Sequence, residues 1–290
     1  MKGAQQGVAL VVVLWMTMLL GLLAAGYAFS VQTEMRVVSH IREEARARAL
    51  ADAAHAYVKA LVQARPPTQL LEEGGPPWLD GRPWIWSFGG YALELRLVPA
   101  AGLVDLNRAK PELLELALTF AGIPADRAGE LVDQLQDWRD KDDEPRSQGA
   151  EDADYQEAGI AAGAKDASFE SVEEIGQVLG IDRAVSERLR PLLTVRGGQG
   201  LNPQFVPLEI QAMLAGDHGT PAGTEEAESE AVDRGAVPAQ FTGAGRARFL
   251  HLRVRIAALA GGKDFSYGFS AASGRGAGRK RTSSLKSRQN

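Results

Sequence analysis

Lys2-Gly3-Ala4-Gln5-Gln6-Gly7, then Val8-Ala9-Leu10-Val11-Val12-Val13-Leu14-Trp15 and on to Phe29 without a charge, is the stretch on which the architecture turns. At about 1.5 Å of rise per residue, a helix over residues 8–29 spans the hydrocarbon core of a bilayer. A secretory signal peptide is laid out differently: a basic region, an apolar core of about 7–15 residues, then a small-residue cleavage site. Here the apolar run is too long, and the switch from polar to apolar falls directly after a glycine, at Gly7-Val8. A plain signal anchor shares the single Lys2 and the apolar span, so the span alone leaves that reading open.

The continuation separates the two. From Glu34 to Ala64 the apolar residues Val37, Val38, Ile41, Ala45, Ala49, Ala53, Tyr57, Val58 and Leu61 recur at helical spacing. Glu43, Glu44, Arg46, Arg48 and Asp52 lie largely between them. Pro66-Pro67 stops the helix, because proline lacks an amide donor and restrains the residue before it. The reading is one long helix behind a leader at residues 1–7, with a membrane-spanning part at 8–29 and an amphipathic part at 30–65 against a globular head. Cleavage before the membrane helix, not after it, is what this layout implies, and in that it resembles type IV pilin-like subunits.

In the head, Trp84-Ile85-Trp86 and Tyr91-Ala92-Leu93-Glu94-Leu95-Arg96-Leu97 read as strands joined at Gly89-Gly90. Phe249-Leu250-His251-Leu252-Arg253-Val254-Arg255-Ile256 alternates in the same way, and Phe265-Ser266-Tyr267-Gly268-Phe269 is placed to pair with it. Segments 78–101 and 246–271 therefore form a small antiparallel sheet. Residues 102–214, helical in pattern from Pro111 onward, form an all-helical domain inserted into that sheet, so the fold class is α+β. Residues 215–245 lack periodicity and read as a flexible acidic loop, and residues 272–290 as a basic disordered tail.

The formal net charge is −5, from 32 Lys and Arg against 37 Asp and Glu. The tail carries +6 on Arg275, Arg279, Lys280, Arg281, Lys286 and Arg288, which leaves −11 on the rest of the chain. That balance disfavours broad nucleic-acid binding by the head. There is no cysteine, hence no disulfide.

Several segments of the middle region occur in a telling order. Gly102-Leu103-Val104-Asp105-Leu106-Asn107 comes first, then Asp137-Trp138-Arg139-Asp140-Lys141-Asp142-Asp143, Gly149-Ala150-Glu151 and Tyr155. Ser168-Phe169-Glu170-Ser171-Val172-Glu173-Glu174-Ile175 and Val178-Leu179-Gly180-Ile181 follow. As a set they resemble minor pseudopilin K of the type II secretion system, over the chain to about Ala215. Counting from Val8, the fifth residue is Val12, where most pilins and pseudopilins carry a glutamate that neutralises a neighbour's terminal amine. A buried charge is costly unless paired, and the K family is similar to this chain in lacking that glutamate. Asp166 departs from the pattern, standing near where the family tends to have asparagine, and so does the tail.

The resemblance implies a non-enzymatic, single-pass protein of the bacterial inner membrane, its N-terminus cytoplasmic and its C-terminal domain periplasmic. Lys2 on the cytoplasmic side agrees with this. It implies prepilin peptidase cleavage between Gly7 and Val8, and methylation of the new terminus. The subunit would cap the tip of the periplasmic pseudopilus and initiate its assembly, with other minor pseudopilins and the major pseudopilin as partners, for export of folded proteins across the outer membrane. Partner contact is expected along the long helix at Val37, Val38 and Ile41. The insert would be of helix-hairpin-helix or SAM-like type.

Asp137 to Asp154 contains eight acids against Arg139, Lys141 and Arg146. Calcium takes six to eight oxygen ligands, mostly carboxylates and loop carbonyls. The spacing is not that of an EF-hand, and by charge alone an Arg-paired acidic surface accounts for it equally well. The K family's helical domain binds calcium, and this resemblance implies a calcium site with Asp140, Asp142, Asp143 and Glu151 as ligands. Trp138 reads as a core anchor beneath that loop.

An internal echo supports the rival readings. Gly122-Ile123-Pro124-Ala125-Asp126-Arg127-Ala128 and Gly180-Ile181-Asp182-Arg183-Ala184-Val185 resemble helix-hairpin-helix loops, which hold DNA phosphate on backbone amides. Here Pro124 removes a donor, Asp126 and Asp182 put carboxylates in the way, and the second glycine is missing from both. A minor pilin of a type IV or competence pilus, or a membrane-anchored helix-hairpin-helix DNA-binding protein, remain the alternatives. Catalysis finds no support: His40, His55, His218 and His251 have no evident nucleophile partner, and no phosphate loop, nucleophile elbow or zinc spacing occurs.

Overall fold

The structure is a computed structural model describing residues 5–73, 78–160, 162–216, 237–257 and 264–273. Most of the expected loop, the tail from 274 and the first four leader residues lie outside the described residues. The helices are α1 (Gln5–Ala64), α2 (Pro67–Glu73), α3 (Pro111–Phe120), α4 (Ala125–Asp137), α5 (Asp152–Glu157), α6 (Arg183–Leu189) and α7 (Leu208–Ala215). The strands are β1 (Trp84–Phe88), β2 (Tyr91–Pro99), β3 (Val104–Asp105), β4 (Leu193–Thr194), β5 (Phe249–Ile256) and β6 (Phe265–Ala272). This is a mixed helix and sheet fold, with a long apolar N-terminal helix and a small antiparallel sheet.

Within α1, Leu10–Phe29 is long and apolar enough to cross a membrane by length and composition, and none of it is buried by the rest of the protein. The four-stranded sheet has the order β1-β2-β5-β6, every pair antiparallel. Its first hairpin turns through Gly89 and Gly90, whose φ of 59° and 83° is the left-handed pair a two-residue turn requires. The insert occupies the sequence between β2 and β5.

Alternation decides which face of the sheet is core. Leu93, Leu95 and Leu97 of β2 and Leu250, Leu252, Val254 and Ile256 of β5 are buried together with Ala47, Leu50, Ala51, Ala54, Val58 and Val62 of α1. Each such Leu, Ile or Val contributes about 1.5–3 kcal/mol on full burial. This divides the apolar stripe expected from the sequence. Of that stripe only Val58 is buried in this core, while Val37, Val38 and Ile41 are 54%, 55% and 60% exposed. The face that packs is lined by alanines at 47, 51 and 54, small enough to bring the helix onto a leucine-rich sheet.

The insert has its own core, built from α3, α4, the Tyr155, Phe169 and Ile175 region and α6. It is helical apart from the parallel pair β3–β4, in which Val104 stands beside Leu193. Part of the expected loop belongs to this core. Val237 and Phe241 are buried in it, and Leu201 N–H donates to Phe241 C=O at 2.7 Å while Gly243 N–H donates to Leu201 C=O at 2.8 Å. Two isolated apolar residues in a Gly- and Ala-rich stretch have no period to reveal them, so the loop expected over 215–245 is corrected from residue 237 onward.

Candidate functional site

The acidic cluster lies where α4 ends and the chain loops to α5. Asp137 is completely buried, and the guanidinium of Arg146 bonds both Asp137 and Asp140. The Arg146 N–H also donates to Asp137 Oδ2 at 3.1 Å. Gly149 is required beside them, since a Cβ there would fall 1.6 Å from Asp137 Oδ2. Thus part of the cluster is an Arg-paired structural knot, with Asp137 at its centre.

Three other carboxylates are not so satisfied. Asp140 Oδ1, Glu151 Oε1 and Asp166 Oδ1 are buried oxygens without a hydrogen-bond partner. Glu151, only 5% exposed, caps α5 and its own N–H donates to Asp154 Oδ2 at 2.9 Å. Burial pushes the Glu151 carboxyl up to about 7, reinforced by the charges of Asp137, Asp140, Asp166 and Asp143. Asp166 is raised as well, by burial first and then by Asp152, Asp143 and Asp140. Its φ of 53° is left-handed, a conformation that aspartate and asparagine tolerate better than most residues. Asp142 and Asp143 are exposed, and Asp142 Oδ1 accepts from Glu144 N–H at 3.3 Å.

Of the expected ligands, the structure therefore gives Asp140 and Glu151 buried unpartnered oxygens, leaves Asp142 and Asp143 at the rim, and adds Asp166. Among the described residues no group of three or more His, Cys, Asp or Glu is drawn together closely enough to hold a metal as it stands. Orphaned, mutually repelling carboxylate oxygens nonetheless suit a hard divalent cation, which would relieve their repulsion. Sequence pattern offered one clue to Asp166, its replacement of an expected asparagine.

Beneath the cluster, the motifs meet. Asn107 Nδ2–H donates to Phe169 C=O at 2.9 Å and Asn107 Oδ1 accepts from Phe169 N–H at 2.8 Å, so one amide brackets a backbone unit far along the chain. Trp138 is buried, its ring 5.7 Å from that of Tyr155 and 6.3 Å from Phe169. Tyr155 Oη accepts from Leu179 N–H at 3.0 Å, and Lys165 Nζ pairs with Glu174 at 2.7 Å. These contacts hold the acidic loop against the hairpins.

The two echo loops do face their own domain. Gly122 and Gly180 have φ of 92° and 78°, and Asp182 caps α6 by accepting from Val185 N–H at 2.7 Å. The guanidinium of Arg188 lies 3.3 Å from where a Cβ of Gly122 would be, and that of Arg127 lies 3.6 Å from the same point on Gly180. Each loop is thus covered by an arginine of the other hairpin. His251 bridges Thr194 Oγ1 at 3.0 Å and Ser270 Oγ at 3.1 Å, joining insert to sheet. Its imidazole is pushed down to about 4 by burial, then by Arg196 and Arg253.

Residues 98–198 match the family model for protein K of the type II secretion system. Over 208 residues the chain is 26% identical to a protein of Escherichia coli strain K12 that carries the name type II secretion system protein K. That match covers 67% of this chain and 64% of the relative, so the chain spans just under two thirds of the relative's length. Among solved structures, the GspK-GspI-GspJ complex of the enterotoxigenic Escherichia coli type 2 secretion system aligns over 78% of this chain and 93% of the matched chain, with a TM-score of 0.46 and 16% identity. The span matched by the family model runs from the end of β2 through the Asn107–Phe169 clamp, the acidic loop and both hairpins, and over it the chain is similar to protein K of the type II secretion system.

Proposed function

We propose that this protein is a minor pseudopilin that caps the tip of the periplasmic pseudopilus and initiates its assembly, in company with other minor pseudopilins and the major pseudopilin. The observation that carries the reading is the family-matched insert set into a sheet that packs on a helix able to span a membrane. A subunit with that bulk above its sheet obstructs addition of another in front of it, which suits a terminal position. Prepilin peptidase would cut between Gly7 and Val8, the new terminus would be methylated, and the helix would hold the subunit in the inner membrane with its head in the periplasm. Val37, Val38 and Ile41, left exposed by the sheet, are the surface for neighbouring helices.

In the insert, Asp140, Glu151 and Asp166, with Asp142 and Asp143 at the rim, would hold calcium. Its role there is structural: a bound divalent charge neutralises the carboxylates and fixes the loop between α4 and α5. No step of chemistry is required, in keeping with a family of structural subunits.

A strain lacking this gene tests the function. Hydrolases held in the periplasm, with normal DNA transformation, are the expected result. Intact secretion with lost transformation or piliation would overturn it in favour of a pilus subunit.

A further inference from the structure

The charge of this chain is divided between two of its parts. Residues 102–214 carry 22 Asp and Glu against 11 Lys and Arg, a net −11, and residues 274–290 carry +6, so everything else sums to zero. The acid is densest between α4 and α5, where residues 140–154 hold seven Asp and Glu against Lys141 and Arg146. Arg146 is already engaged by Asp137 and Asp140. Asp142, Asp143 and Glu144 are exposed and, among the described residues, have no ion pair. Behind them Asp140 Oδ1, Glu151 Oε1 and Asp166 Oδ1 are buried without a hydrogen-bond partner, on a Glu151 side chain only 5% exposed. Buried carboxylate oxygens left in this way attract a cation to the rim.

The basic tail begins beside the insert. Ser273 N–H donates to Arg248 C=O at 2.7 Å, and Asn202 of the insert donates from Nδ2 to Gly245 C=O at 2.9 Å. Leu250 stands opposite Pro99, near where the chain leaves the sheet for the insert. A bilayer crossed by Leu10–Phe29 is out of reach of the densest basic run. Tyr267 faces the charges of Glu44, Arg48 and Asp52, and Phe269 stacks on His55 at 4.7 Å, so β6 runs away from the apolar span. At 1.5 Å per residue, His55 lies about 39 Å along α1 from Phe29. Even fully extended, the chain keeps Arg279, Lys280 and Arg281 within about 29 Å of Ser273. That reach falls short of the membrane and matches the diameter of a small domain such as the insert, about 30 Å.

We propose that the tail folds back on its own insert, with Arg279-Lys280-Arg281 laid along Asp142, Asp143 and Glu144 at the mouth of the Asp140, Glu151 and Asp166 cluster. Opposite charges on one chain meet at the millimolar effective concentration that a short tether supplies, so exposed pairs that are individually weak act together. Each guanidinium offers five N–H donors to the rim carboxylates. The docking needs only these charges. Its consequence rests on the calcium reading: a divalent ion held at the cluster cancels the charge at the rim and releases the tail.

The test is the distance between spin labels at Gln156→Cys and Ser284→Cys, read by double electron–electron resonance on the full-length chain in uncharged detergent. The chain has no cysteine of its own, so both labels are unique, and dilution with unlabelled protein restricts the signal to pairs within one molecule. With chelator at low salt, a narrow short-distance population is expected. It is expected to fall several-fold in about 1 M sodium chloride, where charges are screened within about 3 Å. The same fall is expected when Asp142→Asn, Asp143→Asn and Glu144→Gln are combined, and when Arg279→Gln, Lys280→Gln and Arg281→Gln are combined. Glu112→Gln with Glu115→Gln, at exposed acids of α3, is expected to leave it unchanged. A broad distribution in the parent, equal to that of both triple variants, would overturn the proposal. So would a short population that is lost when phosphatidylglycerol nanodiscs replace the detergent, which would assign the tail to the membrane. A short population that millimolar calcium leaves unmoved would uphold the docking and count against calcium at this cluster.

Discussion

Replacing Glu151 by Gln is expected to stabilise the calcium-free protein and to abolish its response to calcium. Without a cation, Glu151 ionises against burial and against four neighbouring carboxylates, which moves its carboxyl from 4.5 to about 7. At about 1.36 kcal/mol per pKa unit, the cost of carrying that charge at pH 8 is at most about 3 kcal/mol. Solvent screening of the exposed Asp143 and relaxation of the loop bring it to about 1–2 kcal/mol. The folded protein holds this proton more tightly than the unfolded chain, so the stabilising contribution is full below pH 4.5 and is lost as pH rises through about 7. The neutral amide removes that loss. In a thermal melt of the full chain at pH 8 with chelator, Glu151→Gln is expected to raise Tm by about 2–6 °C. Millimolar calcium is then expected to raise Tm of the parent, by binding the folded state alone, and to leave the variant unmoved. A variant that melts no higher than the parent in chelator and still gains from calcium would refute the reasoning.

His251 acts in the opposite direction over the same range. Its imidazole is held at about 4 against the ordinary 6.5, so its contribution is full above pH 6.5 and is lost as pH falls through about 4. His251→Gln is expected to flatten that acid loss, read as the difference from the parent in denaturant unfolding across pH 4–7. Asn107→Leu strips the Phe169 backbone of both partners and is expected to cost about 1–3 kcal/mol, measured by urea unfolding with near-UV circular dichroism as the probe. Ile41→Asp, at a residue 60% exposed, is expected to leave thermal stability unchanged and to weaken association with other pseudopilins. Undiminished association in a bacterial two-hybrid assay would count against that surface.

Local pattern carries as far as local physics reaches. The hairpin at Gly89-Gly90 and the alternation of β2 and β5 are legible because period two and a left-handed turn are properties of neighbouring residues. The order of the Asn107, Trp138, Glu151 and Phe169 segments is legible for a similar reason, as a string of recognisable pieces. Which carboxylates are already satisfied is not. Asp137 and Asp140 look alike in sequence, yet Arg146 satisfies both oxygens of Asp137 and only one of Asp140. Asp166 enters the cluster only because the chain returns there in a left-handed turn.

By itself the sequence determined that a charge-free run from Val8 to Phe29 continues as an amphipathic helix, and that a helical insert interrupts a small sheet, because hydrophobic periodicity is local. Only the tertiary structure decided which face of that helix is spent on the sheet. Apolar residues at helical spacing occur on more than one side of it, and the choice fell to Ala47, Ala51 and Ala54, whose small side chains allow close approach to Leu93, Leu95 and Leu97. Val37, Val38 and Ile41 stay exposed because they precede the stretch of α1 that meets the sheet, which begins at Ala47, and from Val37 to Arg42 the helix is exposed on every side.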